Sequence, residues 1–291
     1  MKRIMLAVNN WIFGDATLEA VIKRAAACGF DGIELVGEPA VYRAEKVDAL
    51  LADSPLRICS ICGMFPGPAE DDLRALCHSD PRERAKAVDY VKACIDLAAG
   101  VGARSVLVAP SLVGKPVFFA DKQTDLDYAA DSLRTAAAYA VARNIILHIE
   151  PINRYEVCLV NSVADAIALA RKIDSPNVRV MGDTFHMQLE EWEGIPNAIR
   201  RAGQYWFQHL HVADNTRQAP GMGTLPWREI IRALIDIDYE GVISYEPLPK
   251  GKAPYDARNG NIPAEKLDAE LKLGVAYLRN EMEICAKQWT A

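Results

Sequence analysis

Eight short runs of β-branched and aliphatic residues alternate with longer amphipathic segments along the 291-residue chain. The runs fall at residues 4–9, 32–36, 57–63, 105–109, 145–150, 178–183, 207–212 and 241–246. Segments of 3.6-residue periodicity lie between them, among them 17–28, 83–99, 127–143, 163–172 and 227–235, and a closing helix is expected over 263–287. A strand-like run giving way to helical period, repeated in regular order, is the signature of strand–helix units. Eight such units in a chain of this length match a (β/α)8 barrel, whereas an open doubly wound sheet rarely needs eight. No Pro/Gly/Ser-rich linker divides the sequence, so the expected architecture is α/β, a single (β/α)8 TIM barrel over 1–291 with a C-terminal helix. Glycines where helices should close, at Gly29, within 99–103 and at Gly241, fit the left-handed conformation a helix end demands.

Composition removes several classes of function. The net charge is −6 with no Lys/Arg cluster, so the electrostatic footprint of a nucleic-acid binder is missing. Small molecules and other copies of the chain are the partners to expect, which points to a homo-oligomer. Seven scattered cysteines show no pairing pattern, and the apolar run in MKRIMLAVNN is too short for a signal peptide. No apolar stretch reaches 18 residues, so no membrane partner is expected, and the reading is a reduced, cytoplasmic protein.

In a barrel of this kind the active site is built at the carboxyl ends of the strands. The fifth run ends His148-Ile-Glu150, the sixth Met181-Gly-Asp183-Thr-Phe-His186, the seventh His209-Leu-His211-Val-Ala-Asp214 and the eighth Ser244-Tyr-Glu246-Pro247. Four successive strands thus offer one ligand-type residue each: Glu150, Asp183, His211 and Glu246. Carboxylates crowded at one barrel mouth repel one another unless a cation neutralises them. Three carboxylates and one imidazole form a largely hard, oxygen-rich set, better suited to Mn²⁺, Mg²⁺ or Co²⁺ than to a thiolate-loving ion, with Zn²⁺ also compatible. A lone carboxylate at a strand end is more often a cap or a solvated loop residue; it is the fourfold repetition that argues for one divalent ion. Four of the five histidines fall in these same motifs, and the fifth, His78, is read as a surface residue.

Other motifs carry less. Cys59 and Cys62 have C-x-x-C spacing, but an offset of three on a strand puts the thiols on opposite faces, and no second pair completes a zinc site. Gly221-Met-Gly223 is too short for a nucleotide fingerprint. Aromatic residues at Trp11, Phe65 and Phe185, with Asn9 or Asn10 beside them, are candidates for a pocket rim.

The stretches Glu150-Pro-Ile-Asn-Arg-Tyr-Glu156, Asp183-Thr-Phe-His186-Met and His209-Leu-His211, followed by Asn215-Thr-Arg217 and Pro220-Gly-Met-Gly223, resemble the sugar-phosphate isomerase/epimerase superfamily of AP-endonuclease-2-like TIM barrels. Within it they look most like the ketose 3-epimerases that act on D-tagatose, D-allulose and L-ribulose. That resemblance implies that Glu150, Asp183, His211 and Glu246 hold one metal, Mn²⁺ foremost. It implies too that Glu150 and Glu246 exchange protons with substrate, and that His186, Arg217 and Glu156 contact the sugar's oxygens. The chemistry fits the set: inverting C3 of a ketose means removing a carbon-bound proton next to the C2 carbonyl. A divalent ion stabilises the enediolate, and paired carboxylates serve the two faces.

Two departures accompany the likeness. Epimerases of this kind usually carry a small or apolar residue where this chain has His148, and Gly-Glu where it has Ala213-Asp214. His148, and with it His209, fits either a role orienting the ligands or, for His148, that of a base. The base role is the alternative reading: a metal-dependent lyase on a 3-oxo-glycoside, which would bring an accessory subunit, or a dehydratase. Abasic-site endonucleases share the barrel but need three metals, more histidine ligands and a basic DNA face, which this chain does not offer.

Overall fold

The computed structural model describes residues 4–289, and at 255, 288 and 289 the backbone alone. Eight strands, β1 (Met5–Asn9), β2 (Gly32–Gly37), β3 (Arg57–Gly63), β4 (Ser105–Val108), β5 (Ile146–Ile149), β6 (Val178–Asp183), β7 (Phe207–Val212) and β8 (Val242–Tyr245), pair in parallel in chain order. β8 returns to pair with β1, closing the barrel. The crossovers carry α1 (Leu18–Cys28), α2 (Ala44–Leu51), α3 (Pro81–Gly100), α4 (Lys122–Val141), α5 (Val163–Ile173), α6 (Thr184–Glu190), α7 (Ile195–Trp206) and α8 (Trp227–Asp236). A short α9 (Pro254–Arg258) and the long α10 (Ala264–Trp289) follow the last strand, so the expected closing helix is present.

Helix starts follow local capping chemistry. Thr17 caps α1 by accepting from the Ala20 amide, and Ser162 with Asp165 forms a reciprocal box on α5. The helix expected from 127 begins instead at Lys122, because Asp121 accepts from the amides of Gln123 and Thr124 and sets the first turn earlier. Gly29 ends α1 at φ +86° as expected. Gly241 does not take that role: Asp238 supplies the left-handed residue (φ +52°). Gly241 is needed for space, since a Cβ there would run into the Gln208 carbonyl and the Tyr239 ring. His78 is half-buried rather than on the surface; its ring packs on Phe119 with centroids 4.2 Å apart, and its Nδ1 accepts from the Asp80 amide.

Apolar side chains from strands and helices form one large core between the sheet and its coat, including Leu6, Ile33, Ile61, Ile149, Leu133 and Leu234. Residues paired across adjacent strands point the same way. Cys62 pairs with Leu107 and Leu107 with His148, while Met181 pairs with His209. These rungs line the barrel's interior, where Cys62, Leu107 and Met181 make a small separate apolar cluster and the histidine rings lie 5.4 Å apart. Cys59 and Cys62 are buried free thiols facing different ends of the barrel, each in a different cavity. Among the described residues, no helix is long and apolar enough to cross a membrane.

Candidate active site

Glu150 and Glu246 each stand one residue beyond their strands, Asp183 is the last residue of β6, and His211 lies one residue before the end of β7. All four are buried. Ligand atoms of Glu150, Asp183 and His211 lie within 4.8 Å of one another. His211 Nδ1 is 3.5 Å from Glu150 Oε1 and 3.3 Å from Glu246 Oε1, yet it has no hydrogen-bond partner. A buried, orphaned imidazole nitrogen facing carboxylates is the donor set a hard divalent ion would complete, so the residues fit a metal.

Glu246 is held by more than this cluster. Its Oε1 accepts from Asn9 Nδ2 and Trp11 Nε1, each at 2.8 Å, and its Oε2 from Arg217 at 3.1 Å. Arg217 also donates to Asp183 Oδ2 at 2.9 Å, and its guanidinium lies 4.8 Å over the Phe185 ring. The other Asp183 oxygen caps α6 by accepting from the Phe185 amide at 2.7 Å. Arg217 takes a positive φ of 60° in a loop that Asp214 organises. Asp214 is fully buried and accepts from the Gly221 and Leu225 amides and from Trp227 Nε1 at 2.8 Å. Thus the acid that departs from the epimerase pattern shapes the loop carrying Arg217.

Burial and neighbours pull the two glutamates apart. Burial raises Glu150 to about 7, with the charges of Glu246 and Asp183 adding to it against His211. Burial acts on Glu246 in the same direction, but His211 and Arg217 outweigh it and lower its pKa. Arg217, His186 and His211 hold Asp183 at about 2 despite burial. Burial disfavours a cationic His211, yet Glu246 and Glu34 keep its pKa well above that of a free imidazole.

A cavity of about 960 Å³ opens above this cluster. Glu150, Glu246, His186, Arg217 and Glu156 line it, together with Asn10, Trp11, Phe65 and Phe185. His186 is buried, with Nε2 3.8 Å from Asp183 Oδ2. Its Nδ1 lies 2.8 Å from Asn153 Nδ2, which also donates to Glu156 Oε1 at 3.1 Å. An amide nitrogen can only donate, so His186 Nδ1 accepts and its proton sits on Nε2. Burial lowers the His186 pKa, keeping the ring neutral.

His148 and His209 are not in this cavity. Both line a second one, of about 660 Å³, at the amino end of the barrel with Arg57, Ile146, Phe207 and Val242. Burial and His209 hold His148 well below the usual histidine range. His148 thus lines the opposite end of the barrel from the substrate-sized opening, a placement that does not favour the base role of the alternative reading. The residue that strand-end reasoning missed is Glu34. It lies in the middle of β2, fully buried, with Oε2 2.8 Å from His211 Nε2 and 3.4 Å from His209 Nε2. An acid inside the apolar run Gly32-Ile-Glu34-Leu-Val was the available signal.

A closed parallel barrel with paired acids and a ligand-type cluster at its carboxyl mouth defines a barrel enzyme. The chain belongs to the xylose isomerase-like TIM-barrel family, whose model matches residues 22–281. It is 36% identical over 241 residues to a D-psicose 3-epimerase from Enterocloster bolteae, covering 80% of this chain and 77% of that one. It is 28% identical over 236 residues to a 3-dehydro-D-guloside 4-epimerase from Escherichia coli, covering 79% and 86%. The crystal structure of D-psicose 3-epimerase with D-tagatose from Clostridium cellulolyticum superposes with a TM-score of 0.83 at 26% identity, over 96% of this chain and 99% of that one. The protein is an isomerase-class enzyme of sugars, similar to ketose 3-epimerases, and the lyase alternative is not favoured.

Proposed function

We propose that the protein is a divalent-metal-dependent epimerase that inverts the carbon next to the ketone of a ketose or keto-glycoside. The observation that carries this is the orphaned Nδ1 of His211 set between the carboxylates of Glu150 and Glu246. The names of the relatives share one chemistry: a 3-epimerase of a 2-ketose and a 4-epimerase of a 3-dehydro sugar both act beside a carbonyl. At about 960 Å³ the cavity lies at the upper end of ligand-site sizes, roughly 300–1,000 Å³, leaving room for more than a free hexose.

Glu150, Asp183, His211 and Glu246 would hold the ion, Mn²⁺ before Co²⁺, Mg²⁺ or Zn²⁺ on donor chemistry. When bound, it supplies Lewis-acid polarisation of the substrate's oxygens. Glu150 and Glu246 form the proton-transfer pair. One carboxylate takes the carbon-bound proton on one face while the other returns a proton on the opposite face, the arrangement an inversion requires. His186 donates from Nε2, and Arg217 holds its charge against developing negative oxygen. Glu156, half-buried at the rim, accepts from a sugar hydroxyl. The test is a panel of ketoses and 3-keto-glycosides, assayed with Mn²⁺ and after exhaustive chelation. Epimer formation that chelation abolishes and Mn²⁺ or Co²⁺ restores is expected; undiminished turnover after chelation ends the metal reading.

A further inference from the structure

Glu34 is an acid in the interior of a β-strand with no exposure to solvent. Leaving a carboxylate there is costly unless it is paired and hydrogen-bonded. Its partners are two imidazoles two residues apart on β7, so both rings project to the same face and reach the same oxygen, Oε2. Glu34 Oε1 has no hydrogen-bond partner. The short contact, 2.8 Å, is to Nε2 of His211. That contact commits one edge of the ring to Glu34, and the opposite edge, Nδ1, is then the one presented to Glu150 and Glu246.

A neutral imidazole carries its proton on either nitrogen, and a proton on Nδ1 would block coordination by that atom. A carboxylate receiving Nε2–H removes the choice, locks the ring's rotation and raises the basicity of the free nitrogen. We propose that Glu34 is a positioning residue: by accepting the Nε2 proton of His211 it fixes the ring with Nδ1 toward the Glu150, Asp183 and Glu246 carboxylates and so sets the affinity for the ion. This rests on the metal reading given above. Ligand atoms of Glu34, His209 and His211 also lie within 4.8 Å of one another. A second ion there would require His211 to ligate through both nitrogens at once, which makes binding stoichiometry part of the test.

The experiment is calorimetric titration of the metal-free wild type and Glu34→Gln with Mn²⁺, alongside far-UV circular dichroism of both metal-free forms. The wild type is expected to bind one ion, and Glu34→Gln one ion with affinity roughly 10- to 100-fold weaker at unchanged circular dichroism. An affinity within about threefold of wild type, well inside the range such partners command, overturns the inference while leaving the metal reading intact. Two ions in the wild type with one lost in the variant overturns it by making Glu34 a ligand. A wild type that binds no ion overturns the metal reading and this inference with it. If Glu34→Gln does not fold, the wild type loaded with diamagnetic Zn²⁺ answers instead. Long-range ¹H–¹⁵N correlations should show His211 protonated at Nε2 alone, and a proton on Nδ1 overturns the inference.

Discussion

Asn153 donates one hydrogen bond to Nδ1 of His186 and another to Oε1 of Glu156, while its own oxygen accepts from the Tyr155 amide. The side chain is fully engaged, so its orientation and the His186 tautomer are fixed together. Replacing it with Ala frees the ring to place its proton on either nitrogen and removes the fixed donor proposed for the substrate. Asn153→Ala is expected to lower kcat about tenfold, roughly 1.4 kcal/mol, with little change in thermal midpoint. Steady-state kinetics beside a melting curve separate this from a folding defect. A kcat within twofold of wild type would remove His186 from the donor role (the loss of one positioned donor ordinarily exceeds ~10-fold).

Metal-free protein should show the cost of an acid held above its ordinary pKa. Burial raises Glu150 from 4.5 to about 7. Between those values the unfolded chain has released a proton that the folded protein keeps, so stability falls as pH rises through the interval and the penalty is constant above it. Glu150→Gln removes this dependence. The variant-minus-wild-type difference in stability, measured in chelator by urea titration, should therefore move in the variant's favour from pH 5 to pH 8, by on the order of 2 kcal/mol. A constant offset is also expected, because His211 loses a partner, and the diagnostic is the slope. A flat difference across that range would show that Glu150 is not held protonated.

How far the sequence reaches can be argued from particular residues. The eight strands and the closing helix were legible because alternation of period is a local property of the chain, and the helix end at Gly29 is read within a few residues. That Asp183 and His211 come together was legible because barrel topology gathers the strands' last residues at one mouth. Glu34 was not, since its meaning depends on β7, 177 residues further along, arriving beside β2 across the barrel's interior. Asn153 sits inside a quoted motif, yet its partner His186 is 33 residues away and met only once the loop after β5 packs against α6. The direction of His148 was also beyond reach: strand alternation puts it on the same face as Glu150 but cannot say which end of the barrel its ring addresses.

His148 provides a clean discrimination between reaction classes. Its Nε2 is buried without a partner, its ring stacks toward His209 at 5.4 Å, and it lines the lower cavity. Nothing in that placement brings it to the substrate-sized opening. His148→Ala should leave epimerisation within about tenfold of wild type, roughly 1.4 kcal/mol of barrier. Progress curves on the best ketose or keto-glycoside decide it. A collapse in rate, with elimination products formed by the wild type, would reinstate the lyase chemistry.

The proton-transfer pair makes the sharpest demand. If Glu150 and Glu246 serve opposite faces of one carbon, each must both take and give a proton, because the reaction runs in both directions. In deuterium oxide the wild type should then incorporate one deuteron at the inverted carbon per turnover. Glu150→Gln and Glu246→Gln keep size and hydrogen bonding but cannot carry the proton, and each should lose epimer formation by at least ~10²-fold, the low end of what general acid–base catalysis supplies. Their exchange patterns should differ by substrate. The variant that retains the carboxylate facing the C–H bond of one epimer can still wash deuterium into that epimer without inverting it, while the other variant does so only for the opposite epimer. Proton NMR of both sugars with each variant reads this directly. Full exchange into both epimers by either variant would show that the substituted glutamate transfers no proton, and the two-base assignment would fall.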